Sequence, residues 1–106
     1  MMPSETAPSW ENAIITEAEI FSHHTYIGVR LLLNYCLNYC LNYCSGSRTV
    51  GPHVLTEPLL RGFLEAADVQ EWSKMCGRPV RALAYRNGPV LALKHFLRDD
   101  FEVLLK

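Results

Sequence analysis

Every second residue from Ile27 to Tyr43 is apolar: Ile27, Val29, Leu31, Leu33, Tyr35, Leu37, Tyr39, Leu41 and Tyr43, with mixed residues between them. Side chains of a strand alternate between its two faces, so this row predicts one long, half-buried β-strand. Wound as a helix, the same stretch would put Leu, Tyr and Cys on every side and Asn at three interior positions, leaving no polar face. The second half of the row is one unit, Leu-Asn-Tyr-Cys, written three times as Leu33–Cys36, Leu37–Cys40 and Leu41–Cys44. Four is even, so each copy turns Leu and Tyr to the same face, and a tandem expansion of this size leaves the facing pattern intact. A straight strand over 27–43 would reach about 56 Å at about 3.3 Å per residue. A chain of this length folds to a radius of gyration near about 13 Å, so the strand is expected to bend, bulge, protrude or pair with another copy of itself.

Around that row the elements alternate in kind. Ala13 to Phe21 sets Ile14, Ala18 and Ile20 against Glu17 and Glu19, which predicts a strand with one solvated face. Ser22-His23-His24-Thr25 then forms the break of a hairpin with the long strand. Ser45 to Arg48 carries turn chemistry, and Val50 to Leu55 allows only a short or edge strand because Pro52 has no N–H. Thr56 is a good helix N-cap before Glu57 and Pro58, and Leu59, Leu60, Phe63, Leu64 and Ala67 form a buried stripe. Asp68 with Glu71 suggests a capping box for a second, short helix that carries Trp72 and ends near Gly77. Val80–Tyr85 and Val90–Phe96 flank Asn87-Gly88, the strongest short-range signal of a β-hairpin. Leu97 to Lys106 is a charged, partly apolar tail without an assigned element. The expected fold is α+β: a small antiparallel sheet with one long strand and a C-terminal hairpin, covered on one face by one or two helices. Residues 1–12 are expected to be a flexible N-terminus, and 13–106 a single domain.

The 106 residues, 49% of them hydrophobic, suffice for one core and one domain. A net charge of −1 shows no electrostatic footprint of nucleic acid or membrane. Residues 1–29 hold Glu5, Glu11, Glu17 and Glu19 and neither Lys nor Arg. The first residues lack the basic start and apolar run of a signal peptide, so a cytoplasmic protein with reduced thiols is expected. On one strand Cys36, Cys40 and Cys44 stand about 13 Å apart from copy to copy, too far to share one zinc ion. His23 and His24 fit a turn, Asp99-Asp100 with Glu102 fits a solvated acidic segment, and Cys76 lies near a helix end rather than a helix start. No nucleotide loop, metalloprotease motif or nucleophile elbow occurs. The chain is therefore expected to have no catalytic residue, metal or cofactor. Two sets of residues are candidates for contact with a partner. Tyr35, Tyr39 and Tyr43 follow the repeat, and Arg78, Arg81, Tyr85 and Arg86 follow the last hairpin.

Several segments resemble a known family. They are Ile15-Thr16-Glu17-Ala18-Glu19-Ile20, the Leu-Asn-Tyr strand running into Ser45-Gly46 to Gly51, Arg61-Gly62-Phe63-Leu64, and Val69-Gln70-Glu71-Trp72-Ser73 through Gly77-Arg78-Pro79-Val80-Arg81. Over residues 13–98 the chain resembles small uncharacterised proteins encoded by tailed bacteriophages and prophages. It departs from them in having three Leu-x-Tyr units where they have one, and Val50-Gly51-Pro52-His53 where they have a Gly-Gly-aromatic loop. The resemblance implies a phage accessory protein of the bacterial cytoplasm and brings no reaction with it. By analogy of class, its partner would be a bacterial host protein or protein complex, bound to inhibit a defence system in the manner of an anti-CRISPR. Two other readings are an OB-like nucleic-acid-binding module for phage replication or recombination, and a structural protein that self-associates through the repeat strand into a homo-oligomer.

Overall fold

The computed structural model describes residues 7–36, 44–85, 88–99 and 102–105. Its elements are β1 (Ser9–His23), β2 (Tyr26–Cys36), β3 (Cys44–Val54), α1 (Glu57–Ala67), a 3-10 turn (Trp72–Lys74), β4 (Pro79–Ala84), β5 (Val90–His95) and β6 (Val103–Leu104). The strands form one antiparallel sheet in the order β3-β2-β1-β4-β5-β6, with α1 packed on it. The fold is α+β and dominated by its sheet.

β1 serves two neighbours in turn. Ser9 to Ile14 pairs with β4, and Ile14 to His23 pairs with β2, with an irregularity between Ile15 and Glu17. Such a bulge moves the buried side chains from one parity to the other: Ala13 and Ile15 point into the core before it, Ala18 after it. The strand begins four residues before the expected Ala13. Ser9–Asn12, assigned from sequence to the flexible terminus, are sheet residues opposite Ala84 to Arg81. Glu11 and Asn12 are exposed there, so no apolar alternation announces the strand; its partner on β4 supplies the ladder.

The parity of the long row holds in β2, where Val29, Leu31, Leu33 and Tyr35 all enter the core. Its expected length does not hold. Cys44 stands directly across from Cys36 in an antiparallel ladder, so one straight strand through the repeat is excluded, and Leu37 to Tyr43 lie outside the described residues. Gly46, Ser47 and Arg48, expected in a turn, are instead strand residues opposite Tyr35, Asn34 and Leu33. Their composition reads as a turn because Ser47 and Thr49 face solvent, while β2 provides the hydrogen bonds that low strand propensity would not predict.

At α1 the cap signals were sound. Leu59 N–H donates to Thr56 Oγ1 at 3.3 Å, and Arg61 pairs with Glu57 one turn away at 2.7 Å. Phe63, Ala66 and Ala67 are buried against the sheet. Asp68 closes this helix in the left-handed region, φ 59° and ψ 47°, rather than opening another. The expected second helix is only the 3-10 turn Trp72–Lys74, and Glu71 before it makes no side-chain cap. Its apolar residues still serve the core, with Met75 fully buried and Trp72 packed near Phe63. β4 and β5 form the expected hairpin, Ala84 opposite Val90. The sheet curls until its ends approach, and the Arg48 guanidinium of β3 donates to Gly88 O beside β5.

Candidate partner-binding surface

The candidate contact residues are dispersed by the fold. Tyr35 is 5% exposed and belongs to the core, with the Arg48 guanidinium 5.6 Å from its ring centre. Burial pushes its phenol above the usual tyrosine value, and the neighbouring Arg48 charge opposes that rise. The row of tyrosines reads as surface only if the strand outruns its core, whereas at Tyr35 the core still covers it. Tyr39, Tyr43 and Arg86 lie outside the described residues.

Arg78 and Arg81 are committed within the molecule. Arg78 Nε donates to Ala67 O at 2.9 Å, at the C-terminal end of α1, where carbonyls lack helical partners. Arg81 Nε donates to His95 O at 3.1 Å, and its Nη2 to Arg98 O at 2.9 Å and Asp99 Oδ1 at 2.8 Å. Lys94 Nζ meets the same Asp99 oxygen at 2.8 Å and lies 4.3 Å from the Trp10 ring centre. Hydrogen bonds from Lys94 and then Arg81 hold the Asp99 carboxyl below the usual aspartate value. This clamp fixes the chain after β5, and His95 Nδ1 adds to it by accepting from Leu97 N–H at 2.9 Å and Arg98 N–H at 3.1 Å. Of the hairpin set, Tyr85 remains open to solvent.

The surface that does present apolar material lies elsewhere. A groove of about 670 Å³ runs between the end of β3, the first turns of α1 and the β6 segment. His53, Val54, Pro58, Leu59, Gly62 and Leu104 are among its lining residues. Val54 is 57% exposed and Leu104 66%, and Ile27 nearby in the sheet is exposed as well. Gly62 brings β6 close: a Cβ there would stand 2.8 Å from Val103 Cγ2. The sequence signals of this groove were weak. They are a glycine in a helix interior, where it costs about 1 kcal/mol relative to Ala, and a brief Val103-Leu104-Leu105 run in a tail left unassigned.

A second feature, half-buried apart from His23, is aromatic. Phe21 and His23 of β1 share a face with Gly28 and Tyr26 opposite them in β2. The His23 and Tyr26 rings stack with centroids 5.2 Å apart, and the Phe21 ring covers Gly28. Glu17 and Glu19 share this face, the latter bound to Arg30.

No family model, curated protein or solved structure matches the chain. Among the described residues no group of three His, Cys, Asp or Glu is placed to hold a metal ion, and no helix is long and apolar enough to cross a membrane.

Proposed function

We propose that the protein is a non-enzymatic protein-binding module that acts by occupying a partner. Joined to the resemblance described above, this reading makes it a phage accessory protein that binds and inhibits a host-defence component in the manner of an anti-CRISPR. The observation that carries it is the apolar groove bordered by exposed Val54 and Leu104, since exposed apolar patches with polar rims mark interaction sites. The basic side chains support a protein over a polyanion. Arg30, Arg61, Arg78, Arg81 and Lys94 all have acidic or main-chain partners within the molecule. Phosphate contacts would have to break these bonds. The test is plaque formation by a CRISPR-targeted phage on bacteria that make this protein. The full chain is expected to restore plaques, and the folded double variant Val54→Glu, Leu104→Glu to lose that effect. Absence of any restoration overturns the inhibitor reading.

A second reading is favoured by connectivity. A three-strand meander, a helix and a hairpin, with β1 between β2 and β4, follow the strand plan of an OB barrel, whose β2–β3 face and adjoining loops bind oligonucleotides. Phe21, His23 and Tyr26 would supply stacking surface. Binding of oligo-dT that falls steeply with salt and is lost in Phe21→Ala, Tyr26→Ala would move the assignment to single-stranded nucleic acid.

A further inference from the structure

The main chain at the apolar groove is as informative as its side chains. β3 and β6 are the two outermost strands of the sheet, and both line the groove. Leu55 N–H donates to Ile27 O at 2.8 Å, so Leu55 is turned toward β2. Groups in an antiparallel ladder alternate, and Val54, opposite Gly28, therefore turns its N–H and C=O away from β2. The same holds across the groove. Leu105 N–H donates to Leu91 O at 2.9 Å, so Leu104, opposite Ala92, turns its N–H and C=O away from β5. Val54 and Leu104, both exposed and apolar, thus also have backbone groups that face outward from the sheet's edges.

We propose that this groove takes an extended segment of a partner protein as an added strand between β3 and β6. A strand offers hydrogen-bonding groups on both edges and side chains alternately up and down, which matches an apolar trough with main-chain donors and acceptors along its two sides. A helix satisfies its own backbone internally and would leave both edges unused. β3 and β6 run in opposite directions, because each strand is antiparallel to its neighbour through the sheet. The added strand therefore lies parallel to one wall and antiparallel to the other. Its inward side chains rest on Pro58, Leu59 and Gly62, so every second residue is apolar. Among the described residues the lining includes Glu102 and neither Lys nor Arg, so a segment flanked by basic residues fits better than an acidic one. The inference rests on the reading of the protein as a protein-binding module and specifies how that site recognises its partner.

The experiment uses peptides of about ten residues, the upper end of ordinary strand length, selected from a random display library against the full chain. Bound peptide is expected to slow amide exchange at Val54 or Leu104 by about tenfold or more, while Leu55 and Leu105, already bonded within the sheet, stay unchanged. Methylating a single backbone nitrogen is expected to weaken binding by about tenfold, the value of one hydrogen bond, at groove-seated residues of either phase, because alternate residues face β3 and β6, and little at the peptide's ends beyond the groove. Peptides that bind as helices, leave both amides unprotected, or give a flat methylation scan overturn the proposal, as does a selection that returns no groove binder. A partner protein that binds elsewhere on the chain removes this inference and leaves the module reading standing. Failure of plaque restoration with groove binding intact does the reverse.

Discussion

Two regions at the margin of the sheet differ in how their polar groups are met. Beyond β5, Arg81 and Lys94 close on Asp99, and Arg81 and His95 together hold the backbone of residues 95–98, so the polar groups there are satisfied from within the chain. At the groove, β3 and β6 turn the backbone of Val54 and Leu104 outward and leave their side chains in solvent. Both regions pack on the same helix and core, so the difference does not reflect a lack of material to bury. It separates a surface whose arginine and lysine bond within the chain from one proposed above to take a second molecule, so the groove rim, rather than the arginines of the last hairpin, is the place to test for a partner.

That contrast can be strained at several points. The largest effect is expected at the shared core. Phe63→Ala removes a fully buried ring and should destabilise the fold by about 3–5 kcal/mol, read by urea denaturation; a small loss would mean that α1 does not anchor both regions. Thr56→Ala deletes the cap that starts α1 beside the groove, and should cost about 1 kcal/mol in the same assay. Asp99→Asn tests the clamp through pH. The carboxyl is held below its ordinary value, so its contribution is present above about pH 3.9 and is lost as pH falls further, through the value it has in the folded chain. The melting temperature of wild type should exceed that of the variant at neutral pH, and the two should converge in strong acid; a gap independent of pH would remove the ion pair from the account. The smallest effect is expected from Val54→Glu, within about 0.5 kcal/mol as for other exposed sites. A large loss there would show that Val54 supports the fold rather than a partner.

Legibility followed the range of the interaction. The cap at Thr56, the buried residues of α1 and the pairing of β4 with β5 are set within a few residues, and each stands where the pattern places it, while Asn87 of the hairpin signal lies outside the described residues. Ser9–Asn12 and Gly46–Arg48 carry polar or turn-forming residues and are strands because β4 and β2 lie beside them. Asp68 has the composition of a helix start, yet its left-handed backbone ends one. The candidate surface was harder to read: Tyr35 follows the predicted parity into the core, and Arg81 finds its partners 14 to 18 residues away.

Local pattern determined which residues of β2 and α1 face inward, because side-chain period and capping act over one or two turns of chain. It also bounded the molecule to one small core with little net charge. Tertiary structure decided where β1 changes partners, that the basic residues of β4 and β5 are consumed in a clamp, and that β3 and β6 meet across an apolar groove. These depend on contacts between segments far apart in sequence, where pairing and burial outweigh the preferences of any single stretch.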